Sequence, residues 1–87
     1  MWIRTKDKCG LVNTHKIKHL FIEDMPIINK EKHDYMITAY KDVEVIVLGI
    51  YSSKENAIET LNYIQECICS EKKGMNMPIE ENGELKF

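Results

Sequence analysis

The residues of this chain with most chemistry to offer are its histidines and cysteines, and their spacing is the first thing to weigh. His15 and His19 stand four apart. That spacing suits two ligands of one metal on a helix, where such side chains lie about 5–6 Å apart. The flanking Lys16-Ile17-Lys18 and Leu20-Phe21-Ile22 read instead as strand, along which four residues span about 13 Å. Cys9 adds a third candidate ligand but completes no recognised zinc pattern, so these are expected to be surface residues and no metal is expected. Cys67 and Cys69, two apart on a helix, point to different sides and lack the spacing of a redox pair. At least one of them is expected to be buried as a small apolar residue. Cys9, beside Lys8 and before Gly10, has a cation to lower its thiol pKa but no assignable base.

The acids give no better catalytic reading. Glu23-Asp24 and Glu80-Glu81 are adjacent pairs flanking turns, whereas hydrolytic chemistry needs two carboxylates facing across a cleft. His33-Asp34 is an isolated pair. Four glycines, Gly10, Gly49, Gly74 and Gly83, stand too far apart to cradle a phosphate. The expectation is a protein that is not an enzyme and takes no cofactor. One cluster invites a ligand: Arg4, Lys6, Lys8, Lys16 and Lys18 against the single acid Asp7 in the first nineteen residues. With Trp2 or Tyr51 to stack on, these could gather a small anion such as a nucleotide.

Composition bounds these options. The chain has 87 residues, enough for one domain, with a formal charge of −2 and 44% hydrophobic residues. A negative total argues against nucleic acid as a partner, and no RRM, KH or helix-turn-helix pattern is present. No apolar run approaches the ~18 residues of a membrane span. Three cysteines form no disulfide framework and no secretory leader precedes them, which leads us to expect a cytoplasmic protein with reduced thiols.

The elements that must position these residues are legible. Lys54 to about Ser70 repeats apolar residues at Ala57, Ile58, Leu61, Ile64 and Ile68, which is helical spacing. Ser52-Ser53-Lys54-Glu55 fits a capping box at its start, and Gly74 can supply the left-handed residue that stops it. Val43 to Tyr51 is a β-branched strand, joined through Lys41-Asp42 to a strand from Tyr35 to Tyr40. Further strands are expected at Ile17 to Glu23, Trp2 to Thr5 and Leu11 to Asn13. Met25-Pro26 should break any strand, leaving Asp24 to Asp34 as a loop. Residues 1–74 thus make one α+β domain: an antiparallel sheet of about four or five strands with a carboxy-terminal helix on one face. Residues 75–87 read as a flexible tail in which Leu85 and Phe87 dock or fray.

The segments Met1-Trp2-Ile3-Arg4-Thr5-Lys6-Asp7-Lys8 and Leu48-Gly49-Ile50-Tyr51-Ser52-Ser53-Lys54-Glu55, with Ala57, Leu61, Ile64 and Gln65 after them, carry a resemblance. They are similar to a group of short uncharacterised proteins of Gram-positive bacteria, their phages and mobile elements. Those share a Trp-Ile-Arg start and a Gly-x-Tyr strand running into a helix. The resemblance implies Trp2 and Ile3 in the core, Gly49 and Tyr51 at a strand end, and Ser52 and Ser53 as caps. It implies a cytoplasmic setting in a bacterium, its phages or its mobile elements, where small proteins bind host factors or sequester signalling molecules, and it lends no activity.

One helix covers one face of a sheet. In the Val43–Ile50 strand, alternation sets Val43, Val45 and Val47 on one face and Ile46, Leu48 and Ile50 on the other. So short a chain cannot cover both, which leads us to expect a homodimer or other homo-oligomer. The expected working mode is protein–protein contact with an unidentified partner. Val43, Val45 and Val47 on the strand, with Ile27 and Ile28 in the Asp24–Asp34 loop, are the candidate interface.

Overall fold

A computed structural model of the chain describes residues 1–26 and 33–87. The class is α+β: among the described residues, eight strands form small sheets with a single α-helix packed on them. β1 (Trp2–Arg4) and β2 (Leu11–Asn13) pair antiparallel around a turn built on Thr5 and Asp7, and a 3₁₀ turn over Thr14–Lys16 follows. β3 (His19–Pro26), β4 (His33–Lys41) and β5 (Glu44–Tyr51) form an antiparallel sheet in the order β3-β4-β5. α1 covers Lys54–Cys69. β6 (Gly74–Asn76) returns to pair parallel with β1, and β7 (Ile79–Glu81) with β8 (Glu84–Lys86) makes a closing hairpin. The strands therefore divide between two three-stranded sheets and a hairpin. Among the described residues, no helix is long and apolar enough to cross a membrane.

The core lies where α1 meets both larger sheets. Ile3, Val12 and Met75 come from the first sheet, and Ile37, Ala39, Leu48 and Tyr51 from the second. Ala57, Ile64 and Cys67 come from the helix, and Met77 closes the end. Trp2, expected in the core, is half exposed because alternation along β1 sends Ile3 inward and Trp2 and Arg4 outward.

Several sequence expectations give way to the structure. The strand break at Met25-Pro26 does not occur: β3 runs through Pro26, which pairs with His33, so Asp24–Pro26 and His33–Asp34 of the expected loop are strand, and the rest of it lies outside the described residues. Pro26 ends a strand on the sheet's edge, where a missing N–H costs no ladder bond. The segment after Gly74 is not a free tail; it supplies β6 and the hairpin, with Met75, Met77 and Pro78 buried. His15 sits in the 3₁₀ turn, not in a strand.

α1 begins with Ser53, whose hydroxyl accepts from the Asn56 N–H at 3.1 Å. The third helical position is thus Asn56, and Glu55 closes no capping box. The left-handed residue that stops the helix is Glu71, not Gly74. Glu71 takes φ 56°, and the Lys72 and Glu71 N–H groups donate to the carbonyls of Cys67 and Ile68. That pair of bonds is a Schellman motif with a non-glycine residue in the left-handed position.

Candidate functional site

Two places on this scaffold combine exposure with unusual chemistry. The first is the face of the β3-β4-β5 sheet turned away from α1. Register sets Phe21, Thr38 and Val47 in one cross-strand row and His19, Tyr40 and Val45 in the next. A bulge lies between Ile37 and Thr38, where β5 spends one extra residue, Leu48, against β4. The extra residue inverts the alternation. Leu48, Gly49 and Tyr51 therefore turn inward, while Ile50 joins Val45 and Val47 on the outer face, contrary to the face that simple alternation assigns it. The bulge makes β5 one-sided where it passes under the helix.

The outer face is accordingly apolar and open. Phe21 is 50% exposed, Val45 58%, Val47 44% and Ile50 38%, with Met36 and Tyr40 half-buried between them. Phe21 stacks on His19 and meets Tyr40 edge-on at 5.6 Å. The Thr38 hydroxyl, buried at the centre of this face, has no hydrogen-bond partner among the described residues. Val43, at 95% exposure, lies in the β4–β5 turn beside Asp42, whose φ is 49°. Ile27 and Ile28 lie outside the described residues.

The second place is a polar junction around Glu80. Its carboxylate takes the Ser52 N–H at 3.0 Å, the Ser52 hydroxyl at 2.7 Å, the Asn56 amide at 2.7 Å and the Lys6 ammonium at 3.1 Å. Burial works to raise the Glu80 pKa, and the bonds from Ser52, Asn56 and Lys6 outweigh it, holding the carboxyl below its ordinary value. Lys6 also donates to the Ile50 carbonyl and lies 4.2 Å over the Tyr51 ring. Tyr51 donates to the Pro78 carbonyl at 2.8 Å. Burial, with help from the Glu80 charge, pushes its phenol up to about 12.

Gly49 shows why Gly-x-Tyr belongs here: a Cβ on it would lie 3.0 Å from the Tyr51 ring and 3.1 Å from Lys6 Cβ. The junction thus fastens the amino-terminal turn, the β5–α1 corner and the closing hairpin together. Beside it an open groove of about 630 Å³, lined by Lys6, Asp7, Met36, Val47, Gly49 and Ile50, continues the outer face.

The basic residues expected to converge are dispersed. Arg4 donates to the Lys8 carbonyl at 3.0 Å across the β1–β2 turn, and Trp2 shares its side of β1. Lys6 points the other way, to Glu80. Lys16 is exposed on the 3₁₀ turn, and Lys18 pairs with Asp42 at 2.7 Å with both side chains in solvent. Tyr51 is wholly buried, with Lys6 on its ring, and offers no stacking face. Cys9 and Cys69 are exposed and Cys67 is buried, all as free thiols. Among the described residues, no three potential ligands gather at a metal site.

Sequence reasoning weighed Glu80 only as half of an adjacent acidic pair and missed its role as a junction, because its four donors come from segments distant from it in sequence. It found Val45 and Val47 but not Phe21 or Ile50, which need the register and the bulge. No protein-family model, curated protein or solved structure matches the chain.

Proposed function

We propose that this is a non-catalytic binding protein of the cytoplasm that works by protein–protein contact, self-associating and presenting the outer face of its β3-β4-β5 sheet. The observation that carries this reading is the run of Phe21, Met36, Tyr40, Val45, Val47 and Ile50 across one side of a single sheet. Monomeric proteins rarely leave so contiguous an apolar surface to water, and aromatic and methionine side chains are enriched where proteins meet.

The competing reading, capture of a small anionic ligand, has the groove at Lys6 in its favour. It is the weaker of the two because the Lys6 ammonium is already held by Glu80, Ile50 and the Tyr51 ring, while Arg4 bonds the Lys8 carbonyl and Lys18 pairs with Asp42. Two measurements separate them. Light scattering at tens of micromolar is expected to report an assembly larger than one chain. A thermal-shift panel of linear and cyclic nucleotides is expected to leave the melting midpoint unmoved, whereas a ligand at 100 times its dissociation constant adds about 2.7 kcal/mol. A monomer that a nucleotide stabilises would reverse the order of the two readings.

A further inference from the structure

Resting on the self-association reading above, we propose that the mode of assembly is edge-to-edge pairing of β3 with β3 of a second copy, antiparallel, about a two-fold axis at Phe21. β3 is an edge strand, bonded on one side to β4. Among the described residues no strand pairs with its other side, so a row of backbone donors and acceptors lies open. The opposite edge of the sheet is less free: the Lys6 N–H donates to the Leu48 carbonyl at 2.8 Å, and the Lys6 side chain takes the carbonyl of Ile50.

What selects a second copy as the occupant is the sequence of the edge itself. Lys18-His19-Leu20-Phe21-Ile22-Glu23-Asp24 runs from a lysine and a histidine through three apolar residues to two acids. Turned antiparallel on itself about Phe21, it sets Lys18 opposite Asp24 of the second copy, His19 opposite Glu23, Leu20 opposite Ile22, and Phe21 opposite Phe21. Residues directly opposite in an antiparallel pair share a face, and opposite charges or apolar groups there stabilise while like charges destabilise.

Lys18–Asp24 sets opposite charges together, His19–Glu23 sets an imidazole against a carboxylate that also accepts from the Tyr40 hydroxyl, and the other two pairs are apolar; by symmetry every pair but Phe21–Phe21 occurs twice. A slip of two residues one way, the smallest that keeps the faces aligned, sets Phe21 against Glu23 and Leu20 against Asp24. The slip the other way sets Lys18 against Ile22 and Ile17 against Glu23. The register is therefore specified by charge and apolarity together. A two-fold with its axis through the sheet makes the contact isologous and closed, so it ends at a dimer. The two sheets become one of six strands, with the outer faces continuous across Phe21.

Reciprocal charge exchange tests the register. Lys18→Asp puts an acid opposite each Asp24, and Asp24→Lys puts a cation opposite each Lys18. Either variant alone is expected to weaken the dimer about tenfold or more. Mixed in equal amounts the two regain both attractive pairs, so a heterodimer is expected, and the double variant Lys18→Asp with Asp24→Lys regains the homodimer.

Masses come from light scattering across a concentration series. Circular dichroism confirms each variant folded, as expected for substitutions at side chains exposed in the single chain. Single variants that associate as tightly as the wild type overturn edge pairing and leave self-association standing. Weakened single variants whose mixture stays monomeric overturn it equally. A wild-type chain that is monomeric throughout the series removes the self-association reading itself.

Discussion

Glu80 gathers donors from three residues in two distant segments, Lys6 and the Ser52–Asn56 corner, and its removal should be felt in the acid limb of stability. Its folded pKa lies below its unfolded value, so the charged form is favoured by folding. The sign follows: the contribution is complete above the ordinary glutamate pKa of about 4.3 and is lost as pH falls through the depressed folded value. In Glu80→Gln the midpoint is expected to drop at neutral pH by the equivalent of about 1.5–3 kcal/mol, the range for hydrogen bonds to a charged group. The gap from wild type should narrow as pH falls from about 5 to about 3. A gap that is constant with pH would show that charge at this position is immaterial. Tyr51 acts on the other limb. With its pKa raised in the fold to about 12, its contribution is present below the unfolded value of about 10 and lost as pH rises through the folded one. Tyr51→Phe should flatten the alkaline limb, at the expense of an unpaired Pro78 carbonyl and about 1–3 kcal/mol at neutral pH. An alkaline limb identical in both proteins would remove Tyr51 as its source.

At the scale of elements, α1 shows how sequence pattern and burial diverge. Its buried residues are Ala57, Thr60, Ile64 and Cys67, while Ile58 and Ile68 are more than 40% exposed and Leu61 is only half-buried. Ile64→Ala should therefore cost about 2–5 kcal/mol and Leu61→Ala clearly less, a ranking that denaturant melts can check and reverse. At the other end of the helix, Glu71→Gly relieves a left-handed residue of its Cβ and should stabilise by up to about 1 kcal/mol; a loss of stability would mean that the Glu71 side chain is needed. The helix and five of the strands were legible because each carries its own periodicity. The face α1 buries was shifted, because small residues such as Ala57 and Thr60 let the helix sit close to the sheet while carrying little hydrophobic signal. β6 and the hairpin were hidden for a different reason. Met75 is buried through parallel pairing with β1, more than seventy residues away, and no local pattern announces such a partner. Asn82 and Gly83, which join β7 to β8, both have positive φ, as a primed hairpin turn requires. The outer-face residues Val45 and Val47 were readable from alternation, but Ile50 was misplaced because a bulge leaves no mark in composition.

For the whole molecule, the consequence of an open apolar face and a bare strand edge is that stability and assembly become one equilibrium. A small domain buries a modest share of its surface, so apolar area removed from water between two copies is a substantial addition. If unfolding starts from a dimer and ends in two free chains, mass action stabilises the folded state by about 1.4 kcal/mol of dimer for each tenfold rise in concentration. Shared between two chains of this size, that corresponds to a rise in melting midpoint of about 3–5 °C per decade. The wild-type midpoint is therefore expected to climb with protein concentration. The Lys18→Asp variant should show the flat dependence of a monomer until the concentration exceeds its weakened dissociation constant. Calorimetry at several concentrations reads both curves directly. A wild-type midpoint that stays constant over about two decades, where mass action demands a shift of about 6–10 °C, would mean that the chain folds alone and that its open face awaits a different protein.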